Sequence, residues 1–203
     1  MIQPGKIVCV GRNYMEHAHE MGNDVPKAPL LFLKPPSSIV HDRDDIVLPR
    51  ASKQVEFEGE IGVLIGARLR NATREQALAA ISAIVALNDV TARDLQRSDG
   101  QWTRAKGFDT FCPVGNAASQ FGALSDLVVI TRVNGKERQR ATASAMVFDI
   151  PAILVYISEV MTLYAGDLVA TGTPAGVGPL HDGDIVEVEI AGVSKVSNTV
   201  RGS

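Results

Sequence analysis

The sequence predicts a β-rich α+β fold: mixed sheets carrying a few short helices, and no doubly wound α/β domain. Three observations predict it. Strand-like segments predominate, turn signals are dense, and the helical patterns are few and short. With 203 residues, 45% of them hydrophobic, the chain is long enough to bury a full core, and it reads as a single domain spanning 1–203.

The elements follow in order. Lys6 to Val10 reads as a short buried strand ending at Gly11. Asn13 is a candidate N-cap with Glu16 three residues on, opening a helix from Tyr14 to Met21 that Gly22 would stop. Leu30 to Leu33 is an apolar strand halted by Lys34-Pro35-Pro36. Val55 to Gly66 is a longer strand with acids in its first half. Thr73-Arg74-Glu75-Gln76 is a capping box opening an Ala-rich helix, and a strand around Ile84 to Asn88 follows it. Arg93 to Gln96 reads as a helical turn. Val133-Asn134-Gly135-Lys136 signals a hairpin with a type I′ turn. Asp149 with Pro151 opens a helix whose apolar stripe is Leu154, Ile157 and Met161. Asp182-Gly183 and Ala191-Gly192 mark the last two turns, between alternating strands.

Composition excludes several classes of function. Net charge is −3 with the charges interspersed, and no basic stripe or zinc-finger spacing occurs, which argues against nucleic acid as a partner. No apolar run reaches the ~18 residues a membrane span needs. The N-terminus lacks a signal-peptide pattern, and Cys9 and Cys112 stand alone as small buried hydrophobes, so the expected location is the cytoplasm.

The acidic strand is the most informative segment. Alternation puts Glu56, Glu58 and Glu60 on one face. Carboxylates two residues apart lie roughly 6–7 Å from each other. At that range they repel by about 2–3 kcal/mol at an effective dielectric near 20. A buried face needs a cation or bound protons to tolerate this, and hard oxygen ligands suit Mg2+, Mn2+ or Ca2+. Spacing alone decides little, because Glu187 and Glu189 alternate in the same way. There the polar face continues to Ser194, Lys195 and Ser197, as a solvated hairpin requires. After Glu60 the chain runs into Ile61-Gly62-Val63-Leu64-Ile65 instead.

Other candidates each carry two readings. His17 and Glu20 share a helix face, as a general-base dyad or a plain surface pair, while His19 points elsewhere. Asp89, after an apolar strand, is a third metal ligand or a helix cap. Arg93 and Gln96 could project to its side. Lys106, among aromatics and glycine, is a buried anion stabiliser or a surface lysine. Thr171-Gly172-Thr173-Pro174-Ala175-Gly176-Val177-Gly178 is a carboxylate-binding loop or a tight turn, and it lacks the features of a nucleotide loop.

These pieces in this order resemble the fumarylacetoacetate hydrolase superfamily, most closely its short acylpyruvate-hydrolase branch. The resemblance rests on Gly11-Arg12-Asn13-Tyr14-Met15-Glu16-His17, Leu31-Phe32-Leu33-Lys34-Pro35, Glu58-Gly59-Glu60 and Asp89 to Gln96. It continues through Lys106-Gly107-Phe108-Asp109, Val133-Asn134-Gly135 and the glycine-rich loop. It implies a mixed-sheet β-roll, a homodimer, and Mg2+ (or Mn2+) held by Glu58, Glu60 and Asp89, with Glu56 beside the site. It implies that Lys106, Arg93, Gln96, Gly172 and Thr173 meet a small 2-oxo acid. It also implies that residues 12–22 form a lid helix carrying the hydrolytic dyad, His17 and Glu20. The implied reaction is metal-dependent C–C hydrolysis of acylpyruvates (2,4-dioxo acids) to pyruvate and a carboxylic acid. Relatives that decarboxylate oxaloacetate or isomerise hydroxy-dienedioates share the same metal–enolate site. A non-catalytic module with a structural cation is the reading from a different class, and no EF-hand loop supports it.

Overall fold

The computed structural model describes residues 2–20, 24 and 26–202. Among these, the first half holds β1 (Ile7–Gly11), α1 (Met15–Glu20), β2 (Leu30–Lys34), β3 (Ile39–Val40), β4 (Asp45–Leu48), β5 (Val55–Phe57), β6 (Gly59–Ile65), α2 (Arg74–Ala79), β7 (Ile81–Asn88), β8 (Thr91–Ala92) and α3 (Arg93–Asp99). The second half holds α4 (Thr103–Lys106), β9 (Cys112–Pro113), β10 (Val128–Val133), β11 (Lys136–Thr142), α5 (Ile150–Val160), β12 (Leu168–Ala170), β13 (Gly178–Pro179), β14 (Ile185–Ile190) and β15 (Ser194–Gly202).

Two five-stranded mixed sheets dominate, ordered β2-β1-β12-β6-β7 and β11-β10-β14-β15-β4, beside a small sheet β13-β5-β8. The main core lies between the large sheets. Val8, Val10, Ile61, Val63, Ile84 and Ala86 meet Val129, Val188, Ile190 and Val196 there, and α5 adds Ile150, Ile153, Leu154 and Ile157. Each fully buried side chain of this kind contributes about 1.5–3 kcal/mol.

The local rules hold at several points. Thr73 and Gln76 form the reciprocal capping box of α2. Asp149 caps α5 by accepting from Ala152 N. Asn134 and Gly135 both have positive φ, 51° and 76°, as a type I′ turn requires. Glu187 and Glu189 face solvent and are matched by Arg132 at 2.9 and 2.7 Å.

Asn13 departs from its expected role. Its amide donates to Thr171 O at 2.8 Å and Phe148 O at 3.0 Å and accepts from Phe148 N, so it staples three segments and is not an N-cap. Helix α1 starts at Met15, because Tyr14 is bridged to Met146. Met21 and Gly22, the expected end of that helix, and the side chain of His19 lie outside the described residues. Strand β2 is inverted in burial: Leu30 and Leu33 are largely exposed, whereas Lys34 is buried. The reason is position, since β2 is an edge strand paired on one side only.

The long acidic strand is broken at Glu58, where the chain leaves the small sheet for the large one. Gly59 makes the crossing possible, because a Cβ there would lie 1.9 Å from Thr131 Oγ1 on the opposing sheet. Gly59→Ala is therefore expected to lower stability by about 1–3 kcal/mol through overpacking. The urea midpoint reads this, and an unchanged midpoint would contradict the close approach.

Candidate metal centre and active site

The sheet register gathers the acids. β6 and β7 pair Gly59 with Asn88 and Glu60 with Leu87. Past the strand ends, Asp89 N donates to Glu58 O at 2.8 Å, and Asn88 Oδ1 accepts from Glu58 N at 2.9 Å. The carboxylates of Glu58, Glu60 and Asp89 thus converge, with one oxygen from each lying within 4.8 Å of the others and all three residues buried.

Three cations surround them. Lys106 Nζ donates to Glu58 Oε2 at 2.8 Å and Asp89 Oδ2 at 2.6 Å. Lys34 Nζ reaches Asp89 Oδ1 at 2.7 Å and Val90 O at 3.2 Å. Arg93 donates to Glu58 Oε1 at 2.6 Å, Glu56 Oε2 at 2.8 Å and Gln96 Oε1 at 2.6 Å. Glu56 is thus tied to the rim by Arg93 and by Gln54.

The charges sort the acids. Burial raises the Glu58 carboxyl, but Lys106 and then Arg93 and His17 outweigh it and hold it well below the usual range. Glu60 goes the other way: burial raises it, Asp89 and Glu58 push it further, and Lys106 and the Gly172 N–H offset only part. Lys106 is kept charged, because Asp89 and Glu58 outweigh the cost of its burial.

These residues fit a hard divalent cation. Lys106 and Arg93 neutralise Glu58, and the two lysines neutralise Asp89, but among the described residues Glu60 accepts only from Gly172 N, at 2.7 Å. Among the described residues no cationic side chain bonds Glu60, so Lys106 borders the cluster without filling it. Tyr14 Oη and Asn88 Nδ2 are buried there without a partner among the described residues. Burial raises the Tyr14 phenol, and the neighbouring Glu60 carboxylate raises it further. Three convergent carboxylates, one left under repulsion, form an all-oxygen donor set.

Of the other expected residues, His17, Arg93, Gln96, Lys106 and Thr173 line a cavity of about 60 Å³ together with the three acids, whereas Glu20 and Gly172 are not on its wall. His17 is buried, and its Nδ1 lies 3.3 Å from Glu20 Oε2. Glu20 also accepts from Gly176 N, at 3.1 and 3.2 Å, which ties the helix to the glycine-rich loop. Gly172 has φ 101°, and a Cβ on it would meet Asn13 Cβ at 2.7 Å. Its N–H is spent on Glu60 and so orients an acid. Thr173 Oγ1 donates to Gly59 O at 2.9 Å and accepts from Gln139 Nε2 at 2.8 Å.

Sequence reasoning gave no role to Lys34, Gln139, Trp102 or Arg12. Lys34 gave one signal, a charge closing an apolar run. Gln139 is buried in a strand whose pattern is otherwise polar, and there it joins Gly59 N to Thr173 and Pro174 O. Nothing in that pattern marks it. Trp102 packs edge-on against Phe32, with centroids 5.2 Å apart, at the cavity wall.

A mixed β-roll that buries an acid–lysine cluster at the end of one sheet is the architecture of a family with enzyme members. The model of the fumarylacetoacetate (FAA) hydrolase C-terminal domain matches residues 6–201. The chain belongs to this family. It is 46% identical to an uncharacterized protein of Methanocaldococcus jannaschii over 98% of this chain and 84% of the relative. It is 39% identical to a mitochondrial oxaloacetate tautomerase of Caenorhabditis elegans, covering 90% and 88%. A mitochondrial oxaloacetate decarboxylase of Dictyostelium discoideum is 38% identical, covering 93% and 89%. Among solved structures, a 2-hydroxyhepta-2,4-diene-1,7-dioate isomerase from Mycobacterium marinum superposes with TM-score 0.91 at 45% identity, covering 100% and 76%. A fumarylpyruvate hydrolase from Pseudomonas aeruginosa, in complex with Mn2+ and pyruvate, gives 0.93 at 31% identity, covering 98% and 91%. No helix among the described residues is long and apolar enough to cross a membrane.

Proposed function

We propose that this protein is a divalent-metal-dependent hydrolase that cleaves a C–C bond in an acylpyruvate, giving pyruvate and a carboxylic acid. The observation that carries the reading is the buried His17, paired with Glu20, on the wall of the cavity that the acids share. Residues 1–203 act as one catalytic domain, with 12–22 as its lid. Glu58, Glu60 and Asp89 would hold Mg2+ or Mn2+. When bound, the ion supplies Lewis-acid polarisation to a 2-oxo acid.

The side chains do the rest. Glu20 holds the imidazole in the tautomer that leaves a ring nitrogen free to accept. His17 takes a proton from water, and the hydroxide attacks the distal carbonyl carbon. The bond between that carbon and the pyruvyl methylene breaks, and its electron pair becomes an enolate. Lys106 faces that developing charge, and protonation at carbon releases pyruvate. Arg93 and Gln96, with the backbone N–H of Thr173, orient the carboxylate end.

His17→Ala is expected to reduce acetylpyruvate cleavage by about 10²–10⁴-fold. Calorimetric Mn2+ binding should persist, because His17 is not among the three acids. Undiminished turnover would refute the dyad. A second reading, oxaloacetate tautomerisation or decarboxylation, is favoured by the relatives of those names. Neither reaction needs water attack, so turnover of oxaloacetate that survives His17→Ala would select it.

A further inference from the structure

The cavity contains one cation that the reaction above does not use. Arg12 lines it together with His17, Trp102 and Lys106. The other lysines and arginines at the site each bond an acid of the cluster. Lys106 bonds Glu58 and Asp89, Lys34 bonds Asp89, and Arg93 bonds Glu56, Glu58 and Gln96. Arg12 makes no hydrogen bond or ion pair among the described residues, and it is only partly buried. An arginine that lines a cavity, with no side-chain partner among the described residues, is suited to a carboxylate.

The backbone adds a second observation. Arg12 has φ 59°, a left-handed conformation that a long side chain seldom adopts. Both neighbours hold it there. Gly11 lies under Trp102, where a Cβ would come within 2.8 Å of the indole ring. Asn13 is stapled to Thr171 and Phe148 through its amide. The conformation is imposed from both sides, at a residue that lines the cavity. Backbone strain of this kind collects at ligand clamps.

We propose that Arg12 binds a second, distal carboxylate of the substrate, so that the site selects dicarboxylic 2-oxo acids over monocarboxylic ones. This rests on the 2-oxo acid reading of the site and names its substrate class. The 2-oxo acid end meets the acid cluster, Arg93, Gln96 and Lys106. Lys34, Lys106 and Arg93 each bond an acid of the cluster, whereas Arg12 has no such bond among the described residues.

The test compares Arg12→Gln and Arg12→Lys with the unaltered protein in Mg2+, using fumarylpyruvate and oxaloacetate as dicarboxylates and acetylpyruvate as the monocarboxylate. For Arg12→Gln, kcat/KM on the dicarboxylates should fall at least tenfold further than on acetylpyruvate, mainly through KM, and Arg12→Lys should recover part of the difference. Equal losses on both classes, or no loss on either, overturn the proposal. Calorimetry with pyruvate and with 2-oxoglutarate, a dicarboxylic 2-oxo acid with neither a β-carboxylate to lose nor an acyl group to cleave, separates this inference from the reaction itself. If none of the substrates turns over, the proposed chemistry fails, and the binding ratio of these two probes still decides Arg12. A ratio unchanged by Arg12→Gln overturns the inference even where turnover is normal.

Discussion

Asp89→Asn is expected to abolish divalent-dependent turnover, by at least about 10²-fold, and to weaken the fold at the same time. The activity loss follows from removing one of three converging carboxylates. The stability loss depends on which of two effects wins. Asp89 attracts Lys34 at 2.7 Å and Lys106 at 2.6 Å. At an effective dielectric near 20 each contact is worth about 6 kcal/mol before desolvation. Against this, Glu58 and Glu60 each repel Asp89 by about 3–4 kcal/mol at their separation. Attraction exceeds repulsion, so losing the charge strands two buried ammonium groups more than it relieves two acids. Breaking such a buried pair costs about 3–5 kcal/mol. The denaturant midpoint should fall accordingly. A saturating divalent ion at 100 times its dissociation constant should stabilise the unaltered protein by about 2.7 kcal/mol and the variant by almost nothing. A variant that keeps both its midpoint and its metal-induced stabilisation would remove Asp89 from the cluster.

The acids of the site were legible in the sequence because strands impose a rule. Alternation at Glu58 and Glu60, followed by an apolar run with no polar face, can be read without coordinates. The hairpin at Asn134-Gly135 and the caps at Thr73 and Asp149 were legible for the same reason, since each is a local rule about backbone bonds or φ. Pairings across long separations obey no such rule. Lys34 ends an exposed edge strand yet is buried against Asp89, and its sequence neighbours say nothing of that partner. Asn13 looked like a cap because its type and spacing suit one. Tertiary contacts with Phe148 and Thr171 claimed its amide instead. Gln139 is the extreme case, because an alternating polar strand hides a buried amide that fixes Gly59, Thr173 and Pro174 together. The break at Glu58 was invisible too. Only the approach of β10, felt by the missing Cβ of Gly59, requires it.

Lys106→Met should separate holding the ion from doing the chemistry. Methionine matches much of the apolar stem and keeps a contact with Phe32, over whose ring Lys106 Nζ sits at 5.0 Å. The ammonium is lost, and with it the charge that faces a developing enolate. kcat should drop by about 10²–10³-fold, the usual effect of removing one such stabilising donor. Metal affinity should move the opposite way. Glu58 keeps Arg93 and Asp89 keeps Lys34, so both acids stay anchored while the cluster gains one net negative charge. Mn2+ should therefore bind at least as tightly to the variant as to the unaltered protein, as read by calorimetric titration. With no ion present the variant should be the less stable of the two, because Glu60 then sits among carboxylates that Lys106 no longer screens. Asp89→Asn loses binding and chemistry together, whereas Lys106→Met should lose chemistry alone. Weakened Mn2+ binding in Lys106→Met, in step with its activity, would make the lysine part of the scaffold that holds the acids in place and would assign the enolate charge to another group.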